Sequence, residues 1–107
     1  MSIRWERDGD YLVYTNNKTW EAVRIWAGNV VEAAFVAREW HTGQNSALYK
    51  LVSGHFSLDV LRESRNDLGM AIKKYRGDDE EDVVQAQAAL YELESAVRKI
   101  EAIESDK

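Results

Sequence analysis

The stretch that decides the fold runs from Asp78 to Glu104 and reads DDEEDVVQAQAALYELESAVRKIEAIE. Its apolar residues recur at alternating intervals of three and four, which is the period of a helix with one narrow apolar stripe. The members of this stripe are Val83, Ala86, Leu90, Leu93, Val97 and Ile100. Acidic residues in a first turn suit the positive end of the helix dipole, and Asp78 or Asp79 can serve as N-cap. The stripe must be buried against another helix of this chain or against a second copy.

A second helical pattern precedes this stretch, from Leu58 to Tyr75, with Ser57 as its predicted N-cap and Gly77 as its predicted end. Its apolar line consists of Leu58, Leu61, Leu68, Ile72 and Tyr75. The residues numbered 76–79 form a connection of the length that joins antiparallel helices. We therefore predict a helical hairpin whose pairing is decided by apolar burial, since each exposed ion pair contributes only about 0–1 kcal/mol.

The N-terminal part of the chain has the composition of β-strands. In residues 3–15, apolar and charged side chains alternate up to Asp8-Gly9-Asp10, which has turn chemistry, and a run of strand formers follows. Asn16-Asn17 is a second turn signal, because asparagine tolerates left-handed backbone angles. Residues 3–15 therefore predict a β-hairpin.

Residues 19–40 fit two patterns. As strands, residues 20–26 alternate, Ala27-Gly28-Asn29 forms a hairpin turn, and residues 30–40 return as a further strand. As a helix, the segment is favoured by its five alanines but interrupted by Gly28-Asn29. We predict strands, because a lone N-terminal hairpin is marginally stable without further strands.

The fold class that follows is α+β, with one domain over residues 1–107. An N-terminal antiparallel β-meander of three to four strands, mainly in residues 1–45, packs on a C-terminal antiparallel helical hairpin within residues 46–104. Ser46 is the predicted N-cap of a short helix that ends at Ser53-Gly54.

Composition and charge exclude several classes of protein. The chain of 107 residues has no cysteine, which rules out disulfides, thiolate zinc sites and cysteine nucleophiles. No apolar run approaches the roughly 18 residues of a membrane span, and we expect a cytoplasmic protein. Residues 78–106 carry ten acids and two bases, which concentrates a charge of −8 at the C-terminal end. Nucleic-acid-binding proteins usually show the opposite balance, so we expect no direct nucleic-acid contact.

No arrangement typical of catalysis is present. His41 and His55 are the two histidines, and they fall short of a usual zinc ligand set. Ser53, Ser57 and Ser64 lie near them in sequence, but none is surrounded by a G-x-S-x-G turn. We expect no enzyme activity, no cofactor and no metal. A possible basic stripe of Arg62, Arg65, Lys73 and Arg76 is expected to be a solvated face that the acidic helix partly neutralises.

Two features point to partner binding. Four tryptophans lie in the first forty residues, and we expect most of them to fill the core and a surface tryptophan to mark a binding face. They are Trp5, Trp20, Trp26 and Trp40. Carboxylates along the C-terminal helix can imitate a phosphate backbone. The predicted partner-binding residues are Asp78, Asp79, Glu80, Glu81, Asp82, Glu92, Glu94 and Glu101, together with Trp20 and Trp26.

The function predicted from these features is a small acidic binding protein without enzymatic activity. It would dock on another protein, and in the sharper form of the hypothesis it inhibits a nucleic-acid-handling or defence complex through its acidic helix. One alternative is a structural homodimer in which the stripe from Val83 to Ile100 pairs between subunits. Another is a small enzyme that uses His41 or His55.

Overall fold

The computed structural model describes residues 2–38, 46–75, 77 and 79–104. Three strands come first along the chain, followed by four helices. The strands are β1 (Ile3–Asp8), β2 (Tyr11–Asn16) and β3 (Ala22–Trp26), and the helices are α1 (Ala27–Arg38), α2 (Ala47–Val52), α3 (Leu58–Lys74) and α4 (Glu80–Glu104). The α+β class and the hairpin of α3 and α4 are confirmed.

The strands form an antiparallel sheet in the order β1-β2-β3. Asp8 pairs with Tyr11, so the first hairpin closes through a two-residue turn, and Gly9 adopts the positive φ of 62° that such turns require. β2 then pairs with β3 from Tyr11↔Trp26 to Thr15↔Ala22. The predicted hairpin of residues 3–15 and the following strand are therefore confirmed.

The predicted return strand is wrong. Ala27-Gly28-Asn29 is the first turn of α1 and not a hairpin turn, and the chain continues as a helix to Arg38. Buried residues recur at helical spacing in this segment, at Ala27, Val30 and Ala33. Small side chains at these positions allow α1 to pack against α4, and that burial outweighs the strand propensity of the valines. Trp40 lies outside the described residues.

Each of the last three helices begins at a side chain that caps it. Oγ of Ser46 accepts a hydrogen bond from the Tyr49 N–H, and Oγ of Ser57 accepts one from the Val60 N–H at 3.3 Å. Oδ1 of Asp79 accepts from the N–H groups of Glu81 and Asp82. The three predicted caps are confirmed, with Asp79 rather than Asp78 at α4, and Asp78 lies outside the described residues.

The end of α3 differs in detail from the prediction. The helix ends at Lys74, and Tyr75 is its C-cap in an extended conformation. Gly77 lies two residues beyond this cap and has no positive φ. The end of the Tyr75 side chain lies against Gly77 in the space that a Cβ would occupy.

Helix α4 is the centre of the core. It packs against α1 and α3 and also contacts β2 and β3. Its buried residues are Ala86, Ala89, Leu93, Ala96, Val97 and Ile100. This buried surface is wider than the predicted stripe, because two helices pack against α4: Ala89 and Ala96 are added, and Val83 and Leu90 are only half-buried. The stripe is therefore internal to the chain.

A buried tyrosine connects the sheet to the turn between α2 and α3. The Tyr14 hydroxyl donates a hydrogen bond to the Phe56 carbonyl, and the Phe56 ring meets Trp5 edge to face with centroids 5.5 Å apart. Burial raises the pKa of Tyr14 above its usual range. Among the described residues, no helix combines the length and the apolar character that crossing a membrane requires.

Replacing Tyr14 by phenylalanine tests this connection. We expect Y14F to lower the free energy of unfolding by about 1–2 kcal/mol at pH 7, because it leaves the buried Phe56 carbonyl unpaired. In the unfolded chain this phenol ionises near pH 10, whereas the folded protein keeps it protonated, so its contribution is present below about pH 10 and lost above it. The difference between wild type and Y14F in urea unfolding should therefore shrink as the pH rises above 10.

The control is Tyr91→Phe, because Tyr91 is exposed. Its free energy of unfolding should stay within about 0.5 kcal/mol of wild type. Equal stability of Y14F and Y91F at pH 7 would contradict a structural hydrogen bond at Tyr14.

Replacing Ser64 within α3 and Ser57 at its start by alanine should have different effects on the stability. Ser64 is fully buried in α3 and its hydroxyl has no hydrogen-bond partner among the described residues. Ser64→Ala should therefore leave the stability unchanged or raise it by about 1 kcal/mol. Ser57→Ala removes the cap of the same helix and should cost about 1 kcal/mol, measured by thermal or urea unfolding. A loss of stability in Ser64→Ala as large as that in Ser57→Ala would contradict this assignment.

Candidate functional site

One face of the sheet carries the core and the other is open. On the core side lie Leu12, Tyr14 and Ile25, with Trp5 half-buried beside them. Strand alternation and the register place the remaining side chains on the opposite face, where all but Val13 and Thr15 are exposed. These residues are Arg4, Glu6, Asp8, Tyr11, Val13, Thr15, Ala22, Arg24 and Trp26.

The open face carries most of the exposed aromatic surface of the sheet region. Tyr11, Trp20 and Trp26 are 42%, 68% and 51% exposed. The Arg4 guanidinium lies over the Trp20 ring at 5.5 Å from its centroid, and the Arg24 guanidinium lies over the Tyr11 ring at 4.7 Å. We call Arg4, Tyr11, Trp20, Arg24 and Trp26 the aromatic face.

Trp20 has an unusual backbone conformation. Its φ of 64° lies in the left-handed region, which costs a residue other than glycine roughly 1–2 kcal/mol. The turn from β2 to β3 imposes this conformation, because the Trp20 N–H donates to the Asn16 carbonyl at 2.8 Å and the Asn16 N–H donates to the Glu21 carbonyl at 2.8 Å. The chain thus holds a large, exposed indole on a strained but hydrogen-bonded turn.

The buried side chain of Asn16 anchors this turn to the far end of the chain. Its Oδ1 accepts hydrogen bonds from the N–H groups of Lys18 and Thr19 at 2.8 and 3.2 Å. Its Nδ2 donates to the Ile103 carbonyl at 2.7 Å, in the last turn of α4, where carbonyls lack a partner within the helix. One side chain therefore satisfies the turn and the helix end together, and it fixes the position of Trp20.

Trp26 is positioned by the start of α1. It is the last residue of β3, and its ring lies against Gly28, where a Cβ would come within 3.1 Å of the indole. Glycine in this first helical turn therefore makes room for the ring. Across the sheet, Trp26 pairs with Tyr11, and Arg24 forms an ion pair of 3.1 Å with Asp8 beside them.

The predicted acidic residues are distributed over several surfaces. Residues two positions apart on a helix differ by about 200° around its axis. Glu92 and Glu94 therefore lie on opposite flanks of α4. Glu92 borders a groove towards α1, whereas Glu101 lies on the flank towards α3 and pairs with Arg62 at 3.0 Å. Glu80, Glu81 and Asp82 are exposed in the first turn, where Asp79 is the N-cap. The outermost strip of α4 between the flanks carries exposed apolar side chains, at Val84 and Tyr91.

Arg62 is the centre of an ion-pair network between α3 and α4. It contacts Glu101 and Glu104 at 3.0 and 2.6 Å and Asp59 at 3.8 Å. Burial lowers the pKa of Arg62, but hydrogen bonds to Glu104 and Glu101 raise it by more. The expected neutralisation of the basic residues by the acidic helix is therefore present at Arg62. Arg76 lies outside the described residues.

The described candidates for catalysis have separate places in the fold. His55 is exposed in the connection before α3, Ser57 caps that helix, and Ser64 is fully buried. His41 lies outside the described residues. Within the part of the chain that the structure describes, no three histidine, aspartate or glutamate side chains are placed to hold a metal ion.

Sequence reasoning identified two of the five members of the aromatic face, Trp20 and Trp26, and missed Arg4, Tyr11 and Arg24. The signal was available, because the two turns at Gly9-Asp10 and Asn16-Asn17 determine the register that aligns these three residues. We expected most tryptophans to fill the core, but two of the three described ones do not. Trp5 packs against the core, and the other two are exposed.

Comparison with known proteins identified no match to this chain, whether among protein-family models, curated proteins or solved structures. No activity, ligand or partner is carried over from a relative. Function therefore has to follow from the geometry and chemistry of the chain's own residues.

The strain at Trp20 predicts an inverted order of stability for two substitutions. Trp20→Gly and Trp20→Ala both remove the ring and its contact with Arg4, and they differ only in the Cβ. At an ordinary position alanine is favoured, but at a positive φ we expect the glycine variant to be more stable by about 1 kcal/mol. Urea unfolding followed by the fluorescence of the remaining tryptophans measures the difference, and an alanine variant of equal or greater stability would contradict the strained turn.

Proposed function

We propose that this protein is a non-enzymatic binding module that docks on another protein through its aromatic face. The observation that supports this most strongly is the composition of that face. Trp, Tyr and Arg are the residue types enriched at binding hot spots, and here three exposed aromatic rings lie on the same side of the sheet as two arginines.

Rigidity is a second argument for docking at this face. Association costs free energy when flexible side chains must be ordered, and aromatic rings held in advance avoid part of that cost. The Asn16 anchor holds the turn of Trp20, and the first turn of α1 holds Trp26. Residues held in unfavourable backbone conformations cluster at functional sites, and Trp20 is such a residue.

The chemistry of the face defines the surface that it would recognise. Two indoles and a phenol need apolar depressions, and the two arginines need carboxylate or carbonyl acceptors beside them. Single-stranded nucleic acid also stacks on aromatic residues, but such binding relies on excess positive charge. Here Glu6 and Asp8 share the face with Arg4 and Arg24, and the whole chain carries −5, so a protein partner is favoured.

In this proposal, the acidic first turn of α4 assists association with the partner. Its exposed carboxylates at Glu80, Glu81 and Asp82 would attract a basic partner over a distance and speed association more than they would strengthen the complex. A nucleic-acid-handling or defence complex is one partner class that carries such basic surfaces, and inhibition is one outcome of docking on it. A homodimer paired through the α4 stripe is disfavoured, because that stripe is buried within the chain.

Affinity capture with matched surface variants tests the proposal. Three proteins are immobilised at equal density: wild type, the double variant Trp20→Ala/Trp26→Ala and the control Tyr91→Ala. The proteins that each retains from a cell lysate are quantified by mass spectrometry. Tyr91 is a suitable control because it is an exposed aromatic residue on α4, away from the sheet. We expect a partner that wild type and Tyr91→Ala retain equally and that the double variant retains at least tenfold less, as for hot-spot truncations of about 2 kcal/mol or more.

Two results would contradict the proposal. One is a partner whose retention is unaffected by the double variant, which would place the docking surface elsewhere. The other is binding of a fluorescein-labelled single-stranded oligonucleotide, measured by anisotropy, that depends on the same two tryptophans. Thermal unfolding of all three proteins checks that a loss of capture reflects the removed rings and not loss of the fold.

A further inference from the structure

A groove lies between α1 and α4, and at Asn29 and Glu92 it adjoins a smaller pocket that Arg24, Trp26 and Lys99 also line. The volume of the groove is about 480 Å³. The residues that line it are Asn29, Glu32, Ala33, Val36, Gln85, Ala88, Ala89 and Glu92. The aromatic face makes no use of this groove, and only Glu92 belongs to the residues predicted from sequence to bind a partner.

The lining residues follow a helical pattern on both walls. The α1 wall runs from Asn29 to Val36 and the α4 wall from Gln85 to Glu92, and each consists of positions i, i+3, i+4 and i+7. These rows extend for about 10 Å, which is two helical turns. A groove between two rows of this kind has the shape that receives a third helix, because helices pack by fitting ridges of side chains into such grooves.

The floor of the groove favours close approach. Ala33 and Ala89 are buried at the contact between the two helices, and Ala88 is exposed above them. Alanines present little bulk, so the apolar side chains of an incoming helix can enter between the walls. Val36 adds apolar surface at one end.

The rim of the groove determines the charge of the occupant. Glu32 lies on the α1 wall and Glu92 on the α4 wall, and no lysine or arginine is among the described residues that line the groove. A helix seated between these carboxylates is favoured if lysine or arginine flanks its apolar stripe and is repelled if glutamate does.

We propose that the groove between α1 and α4 binds a basic amphipathic helix of a partner protein. The apolar stripe of that helix packs on Ala33, Ala88 and Ala89, and its flanking cations pair with Glu32 and Glu92. The groove borders the aromatic face at Asn29 and Glu92, but no member of that face lines it, and the interaction does not depend on the function proposed for that face.

A pair of designed peptides tests the proposal. Two fluorescein-labelled helical peptides of fourteen residues share one alanine and leucine stripe, flanked by lysine in one and by glutamate in the other. Fluorescence anisotropy with the full chain should show saturable binding of the lysine peptide and at least tenfold weaker binding of the glutamate peptide. The double variant Glu32→Lys/Glu92→Lys should reverse this preference.

Steric blocking gives a second, independent measurement. Ala88→Trp places an indole in the groove from an exposed position and should weaken binding of the lysine peptide at least tenfold. Met70→Ala, at an exposed residue of α3, should leave the affinity unchanged. Thermal unfolding confirms that each variant is folded.

Four results would overturn the proposal, the last of them with the charge-reversed variant. The first is equal binding of the lysine and glutamate peptides to wild type, and the second is binding that survives Ala88→Trp in the folded variant. The third is no saturable binding of the lysine peptide at all. If the charge-reversed protein keeps its preference for lysine, the peptide is bound elsewhere and the groove is not its site.

Discussion

Burial of α4 on two sides is the constraint on which the rest of the structure depends. α1 packs on one flank and α3 on the other, and β2 and β3 also contact the helix. Apolar burial stabilises by roughly 25 cal/mol per Å², so a helix buried on several sides dominates the stability of a chain this small. Since α1 and α3 occupy both flanks of α4, the surfaces that its described residues leave to a partner are the first turn, the outer strip and the pockets beside α1 and β3.

Asn16 couples the two ends of the chain to each other. Its side chain closes the turn of Trp20 and satisfies the Ile103 carbonyl at the end of α4, so the orientation of the sheet on the helix and the conformation of the turn depend on the same buried amide. Buried polar side chains are usually hydrogen-bonded, and both polar groups of this amide are.

The surfaces available for binding differ in chemistry. The aromatic face combines rings with arginines and has balanced charge, whereas the groove is lined by alanines and has an acidic rim. The two surfaces adjoin each other near Asn29 and Glu92. A module of this size can therefore present one surface suited to hot-spot docking and another suited to a basic helix, and both use side chains positioned by the burial of α4.

The sequence by itself determined the elements that depend on local chemistry. Helix starts at Ser46, Ser57 and Asp79 follow from caps that act within three residues, and the first hairpin follows from Asp8-Gly9-Asp10. The pairing of α3 with α4 was also predictable, because a short connection leaves antiparallel packing as the available arrangement. Trp20 and Trp26 could be proposed for the site, but not the arginines that lie beside them.

Only the tertiary structure decided whether residues 27–38 are helix or strand. Alanines and valines in that segment support both, and the choice depends on which neighbour buries Val30 and Ala33. It likewise decided that the described carboxylates within residues 79–104 lie on different sides of α4. The sequence gives the number of carboxylates and their spacing along α4. Which of them face a neighbouring helix and which face solvent depends on where α1 and α3 pack.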